Sequence, residues 1–419
     1  MNVRLIIQKG FVAVLAAMAL SSCDAIMEDR DDCPTGLYVN FVYDYNIQRA
    51  DMLKDHVGGL TLYVYDESDR LVASKSMSGN QLSKYGSYLH FTEGELAPGH
   101  DYRLMAVAMQ KDWDMALRTP GAKYRLTGNS IGAEWKQFCI DLDHDNGTRG
   151  SEAFDAAKRF ASPTTAKLGS FTHYYYVSNA APLDTLWHTL ATYTTPADSM
   201  PKTVYPDMLT PARTDYRWQR DGSIKSTGVE RLHIVKDEPT YATVSLIRDT
   251  KHLNISLREI DHPERTSHED YDVFIVDNNG TLDCQNNLIN TEDTLVYTPY
   301  AQWTTAYDGE GTIGEQRSAH YDLMFNRLMH STTPDKNAVL CIRRKSDGKD
   351  IALLNLPEVL SEGRTAYEIF SYTPQEYLDR EYDYRLELFL KGEEWQQLAY
   401  LYVCIDVLSW AKRIQYVQF

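Results

Sequence analysis

After its N-terminal segment, this sequence contains no apolar run approaching the roughly 18 residues that cross a bilayer as a helix. No later helix is therefore expected to span a membrane. Basic residues are also short: Lys and Arg number 42 against 59 Asp and Glu, a formal net charge of −17. That balance repels phosphate backbones and anionic headgroups, so no nucleic-acid partner and no electrostatic membrane contact is expected. H-E-x-x-H, C-x-x-C and a phosphate-cradling glycine loop are all missing. Their absence removes the commonest zinc, dithiol and nucleotide chemistries, and no cofactor is expected. Sustained helical periodicity is scarce too, whereas 29 tyrosines suit the pleated, half-buried surfaces of strands.

What is present begins with export. Arg4 and Lys9 precede an apolar run from Phe11 to Leu20, the h-region of a secretory signal, too short and too early for a spanning helix. Leu20-Ser21-Ser22-Cys23 follows, the small-residue pattern that lipoprotein processing accepts. Cleavage between Ser22 and Cys23 would leave Cys23 with a diacylated thiol and an acylated amine. At about 0.8 kcal/mol per buried CH₂, three chains give a lasting attachment. Asp24-Ala25-Ile26-Met27-Glu28-Asp29-Arg30-Asp31-Asp32 is too charged to fold and reads as a solvated tether. It also resembles the acidic signals that send lipoproteins to the outer face in some Gram-negative anaerobes. The expected location is the outer membrane, lipid-anchored and surface-exposed.

With Cys23 lipidated, five cysteines remain: Cys33, Cys139, Cys284, Cys341 and Cys404. At most two disulfides can form in an oxidising compartment, and one thiol is left over. Cys33 with Cys139 is the first pairing to test, since both fall in the first half. The alternative is that most are small buried hydrophobes.

Period-two alternation dominates from Gly36 onward. In Leu37–Tyr43, residues 37, 39, 41 and 43 form one apolar face, and Leu60–Tyr65 repeats the pattern before Asp66-Glu67-Ser68-Asp69 turns the chain into Arg70-Leu71-Val72. Further strands are expected at Tyr85–Thr92, Tyr102–Met109, Lys136–Leu142 and Thr172–Val177, with a short helix within Gln48–Val57. A second series starts near Tyr241. Leu253, Ile255 and Leu257 alternate with polar residues, and Tyr271–Val276 meets Asp277-Asn278-Asn279-Gly280, whose Asn-Gly favours a type I′ hairpin turn. Later strands are expected at Ala338–Arg343, Ile351–Leu356, Tyr384–Leu390, Leu398–Val407 and Arg413–Phe419. Thr373-Pro374-Gln375-Glu376 offers an N-cap threonine, proline at N1 and glutamate at N3, predicting a two-turn helix to about Glu381.

The two series resemble each other, with turns at Asp66 and Asp277. The pattern predicts an all-β chain of two tandem Greek-key β-sandwich domains with one short helix in the C-terminal half. Residues 1–22 are the signal peptide and 23–34 the tether. Residues 35–238 form a first sandwich with a long insertion, and 239–419 a second, with the boundary near Pro239. Thr192–Lys236, rich in Pro, Thr and Asp, reads as a loop.

From Ala338 onward the chain resembles a known family. The residues that carry this are Leu340-Cys341-Ile342-Arg343, Ile351–Leu356, Thr373–Glu381, Tyr384–Leu390, Trp395 and the closing Ile405–Phe419 with Trp410. With Cys33-Pro34 before Gly36–Tyr45 and the turn at Asp66, they are similar to the FimB-type fimbrial anchor family, the fimbrillin-associated anchor proteins. The likeness covers most of 23–119 and 240–419. It implies transthyretin-like sandwiches, outer-membrane lipidation, no enzyme activity, and a role as basal anchor of a surface fimbria whose length the family limits. The implied partner is a fimbrial stalk subunit.

Motifs that suggest chemistry are few. Gly128-Asn129-Ser130-Ile131-Gly132 matches a G-x-S-x-G elbow but lacks the following helix. Asp141, Asp143, Asp145 and Glu152 echo a calcium loop, yet glycine stands seventh rather than sixth, and a solvated acidic turn is favoured, with no metal expected. His173 beside Tyr174-Tyr175-Tyr176 reads as a strand residue. Asp184-Thr185-Leu186, Asp198-Ser199-Met200 and Asp293-Thr294-Leu295 resemble O-glycosylation acceptors. The alternative function is a stand-alone surface lipoprotein binding glycans through sandwich loops, which needs exposed tryptophans such as Trp187, Trp303 or Trp395 grouped on one face.

Overall fold

The computed structural model describes residues 34–82, 88–143, 174–195, 228–289, 294–308, 314–333, 336–367, 371–390, 403–407 and 410–414. The first half contributes β1 (Gly36–Val42), β2 (Gly59–Tyr65), β3 (Leu71–Ser78), β4 (Leu89–Phe91), β5 (Asp101–Met109) and β6 (Tyr124–Thr127). It continues with β7 (Cys139–Leu142), β8 (Tyr174–Tyr176), β9 (Leu186–Thr195), β10 (Leu232–His233) and β11 (Pro239–Arg248). The second half contributes β12 (Lys251–Glu259), β13 (Tyr271–Asp277), β14 (Thr281–Asp283), β15 (Leu288–Ile289), β16 (Thr294–Tyr297) and β17 (Ala301–Tyr307). It ends with β18 (Gln316–Phe325), β19 (Val339–Arg344), β20 (Asp350–Asn355), β21 (Asp383–Leu390), β22 (Val403–Val407) and β23 (Trp410–Ile414). Short helices α1 (Leu53–His56), α2 (Gly79–Leu82), α3 (Trp113–Arg118), α4 (Leu356–Ser361) and α5 (Pro374–Arg380) lie between them.

The all-β sandwich architecture expected from the alternation is the one observed. One large sheet runs β3-β2-β5-β9-β11-β1-β4, with β10 added on β5. Leu60, Leu62 and Val64 on β2, Ala106 and Ala108 on β5, Leu37, Val39 and Phe41 on β1, and Val244 and Leu246 on β11 share its inner face as one apolar core. The sheet curls until its edges meet: Lys75 on β3 donates to the carbonyl of His90 on β4 at 2.6 Å. Each fully buried large apolar side chain contributes about 1.5–3 kcal/mol.

The opposite face of β2 and β5, with Tyr63, Tyr65, Met105 and Val107, packs on Trp135, Phe138 and Ile140 and opens into a second, larger core. There the sheets β17-β18-β12-β21 and β20-β19-β13-β16-β8 enclose Leu253, Ile255, Tyr321, Leu323, Ile275 and Leu340. The halves are interlocked by pairing. β7 pairs with β14, Ile140 opposite Leu282, and β8 runs parallel to β16.

Local signals explain several elements. Asp66 Oδ1 accepts from the amides of Ser68 and Arg70, each at 2.9 Å, and holds the expected turn between β2 and β3. Thr373 caps α5 by accepting from the Glu376 amide at 3.2 Å, with Pro374 at N1.

Other expectations are corrected. Asn279-Gly280 does not close a hairpin, because β13 pairs with β16 and β19 while β14 pairs with β7 and β15. Asn279 is fully buried, donating to the Asn326 carbonyl at 3.0 Å and accepting from Tyr297 at 2.6 Å, which directs the chain across to another sheet. The change of sheet falls after Arg248 rather than near Pro239, since β11 pairs with β1 and β9. The loop expected from Thr192 begins inside β9 and includes β10. Strands β16, β17 and β18 were not anticipated, and the helix within 48–57 shortens to α1.

Candidate functional site

Ser22, Cys23, Cys33, Asp145 and Glu152 lie outside the described residues. Cys139 opens β7 with a free, half-buried thiol, and Cys284 and Cys341 are buried and free. Burial raises the Cys284 thiol to about 11. Asp141 accepts from Thr281 Oγ1 at 2.8 Å and Asp143 pairs with Arg125 at 3.2 Å, so each has a separate structural partner. Among the described residues no group of three or more His, Cys, Asp and Glu is placed to hold a metal ion.

Ser130 sits in an exposed turn after β6, followed by a short 3-10 turn at Trp135–Gln137 and then β7. The strand-then-helix elbow is thus replaced by a tight link. At Gly128, φ is +66° and an added Cβ would lie 2.2 Å from the Gln137 carbonyl oxygen. Thr185 and Thr294 are buried, which removes them as acceptors in the folded chain. Trp187 is fully buried beside Tyr43, while Trp303 is 38% exposed and stacks on His320. Trp395 lies outside the described residues.

Two regions bear on how the chain is held. The first is the entry to β1. Gly36 has φ +83°, and an added Cβ would fall 2.3 Å from the carbonyl oxygen of Phe91 on β4, so the chain enters β1 in close backbone contact. The Thr35 carbonyl lies 2.9 Å from His90 Nε2. Tyr38 stacks on the same imidazole at 4.2 Å and tilts against Tyr241 of β11 at 5.4 Å.

The second is the junction of the halves, where only Asp249 and Thr250 separate β11 from β12. Both are fully buried. Thr250 Oγ1 accepts from the Leu186 amide and donates to the Asp184 carbonyl, each at 3.1 Å. Lys251, also fully buried, donates to the carbonyls of Asp379 and Glu381, each at 2.9 Å. Arg327 forks onto Asp379 at 2.8 and 2.9 Å, and Asn286 donates to Asp249 at 2.9 Å. Arg380 pairs with Glu376 at 2.9 Å and covers the Tyr45 ring at 4.0 Å. Burial pushes Lys251 down and Asp249 up, and raises Glu381 to about 7. Breaking one partner of such a set leaves an uncompensated buried charge, so the network fixes one arrangement of α5 against the junction.

These junction residues were missed from sequence. Their signal was available: Arg248-Asp249-Thr250-Lys251 is a charged interruption between two alternating strands too short to be a solvated loop. A run of that kind points to buried pairing.

The fold and these sites define a multi-sheet β-sandwich protein with no assembled metal set among its described residues. A candidate adhesin from Bacteroides thetaiotaomicron shares the fold with a TM-score of 0.61 at 20% identity, covering 91% of this chain and 98% of its own. A candidate polysaccharide-binding protein of that organism gives 0.59 at 21%, covering 91% and 99%. The fimbrial anchor protein Mfa2 from Porphyromonas gingivalis gives 0.48 at 15%, covering 85% and 91%. No curated protein sequence matches the chain at a significant level. The profile of the fimbrillin-A associated anchor proteins Mfa1 and Mfa2 matches residues 30–200 and 225–416, and the chain belongs to that family. The family is structural and associated with fimbriae at the cell surface. Among the described residues no helix is long and apolar enough to cross a membrane.

Proposed function

We propose that this chain is an outer-membrane lipoprotein acting as the basal anchor and assembly subunit of a surface fimbria, and that it limits the length of that fimbria. In this reading the signal is cut between Ser22 and Cys23, and acyl chains on Cys23 hold the protein in the membrane. Residues 23–34 give slack, and the stalk subunit is the partner. The observation that carries the reading is the family match combined with Cys23 standing 13 residues before β1. A short charged tether joins a lipid to a strand set deep in the body.

The glycan reading has less support. Of the three tryptophans it names, Trp187 is buried and Trp303 stands exposed at a sheet edge, so these two form no shared platform. The test is Cys23→Ala in the native organism. Fimbriae should appear in the medium rather than on cells; fimbriae retained at the normal level would refute the anchor role.

A further inference from the structure

β1 is the first strand after the tether, and β11 is the last strand before the second half. The two run parallel through seven register pairs, from Gly36 opposite Pro239 to Val42 opposite Ser245. The other neighbour of β1 is β4, which contributes only three pairs. Force reaching the body from the membrane enters β1 at its N-terminal end, since the tether precedes Gly36. Along the covalent chain, force from the second half enters β11 at its C-terminal end, through Asp249 and Thr250. In a parallel pair these are opposite ends of the ladder. The strands are then pulled along their length in opposite directions, and the evenly spaced hydrogen bonds share the load together. Pulling the same ladder from one end would open its bonds one after another.

The pattern recurs directly downstream. β12 begins two residues after β11 and runs parallel to β21 through eight pairs, from His252 opposite Asp383 to Glu259 opposite Leu390. It takes load at its N-terminal end, and β21 passes load on at its C-terminal end. Other features keep the ladders engaged. Leu37, Val39 and Phe41 project from β1 into the first core, so sliding β1 drags buried side chains with it. The link is tied to both halves: the Asp249 amide donates to the Leu186 carbonyl at 2.9 Å, and Lys251 donates to the carbonyls at the end of α5. It has no free length to pay out before the ladders are loaded.

We propose that β1–β11 and β12–β21 are two shear-loaded mechanical clamps in series, which let the body carry tension between its N-terminal tether and its C-terminal half without unfolding. The proposal rests on the anchor reading for the source of the tension; the clamp itself is a property of the isolated chain. The test is single-molecule pulling on the mature protein with two placements of handles. One pair is at the N- and C-termini, which shears both ladders. The other is at the N-terminus and Lys236, an exposed residue three before Pro239, which peels β1 from β11 at one end. The main unfolding force with terminal handles should exceed that of the Lys236 placement severalfold, because the hydrogen bonds across the seven register pairs yield together rather than in turn. Equal forces, or a weaker response with terminal handles, would overturn the clamp. Since no membrane or fimbria is involved, that outcome stands apart from the Cys23→Ala result.

Discussion

The first core and the junction hold the same chain by opposite means. The first core is a single curled sheet packed with Leu, Val, Ala and Phe side chains, while the junction encloses Lys251, Asp249, Arg327, Asp379, Arg380 and Glu381. Apolar packing is strong but non-directional, so by itself it does not single out one pairing of charged partners. Buried charges contribute little net stability, yet they penalise every arrangement except the one that pairs them. The contrast teaches that closing a sandwich and fixing two sandwiches relative to one another are separate problems, solved with different residue types.

That comparison can be broken in three places. Lys251→Met removes the donor to two carbonyls and leaves Asp249 and Asp379 short of a cation, and should cost about 3–5 kcal/mol in chemical denaturation. A loss below 1 kcal/mol would mean the ionic junction does no fixing. Asp277 at the end of β13 sharpens the electrostatic side. Burial raises its carboxyl to about 7 from an ordinary 3.8, so the folded state holds a proton that the unfolded chain releases. Stability from this group is full below pH 4 and falls as pH rises toward 7. Asp277→Asn should therefore match the wild type near pH 4 and exceed it at pH 8, by at most about 4 kcal/mol. A gain at low pH instead would reverse the sign argument. Leu62→Ala in the first core should cost about 3 kcal/mol, with no dependence on pH or salt. A cost that varied with either would show that the first core is not simply apolar.

Much of this was legible in the sequence, because period two is a local signal. Leu60–Tyr65 and Tyr102–Met109 announce β2 and β5, and Thr373-Pro374 announces α5. β18 could have been read as well, since Ala319, Tyr321 and Leu323 alternate with Ser318, His320 and Asp322. What failed was partner choice. Asn279-Gly280 carries a hairpin's local signature, but the Asn279 side chain is used up bridging Tyr297 and Asn326, a contact no short window can show. The junction hid for the same reason: whether Lys251 faces water or Asp379 depends on residues more than a hundred positions away. The proposed attachment at Ser22 and Cys23 rests on a linear processing signal, which needs no fold at all.

The pairing of β1 with β11 has one more consequence, for the order in which the protein can form. β1, the first strand among the described residues, must wait about 200 residues for the neighbour that supplies its longest ladder. Closing so long a loop is entropically costly and slow. β7 and β8 likewise wait for β14 and β16. The N-terminal half therefore cannot complete itself while the chain is still emerging, and a fragment ending before Pro239 should not fold as a unit. The first part of the body to be synthesised is then among the last to close.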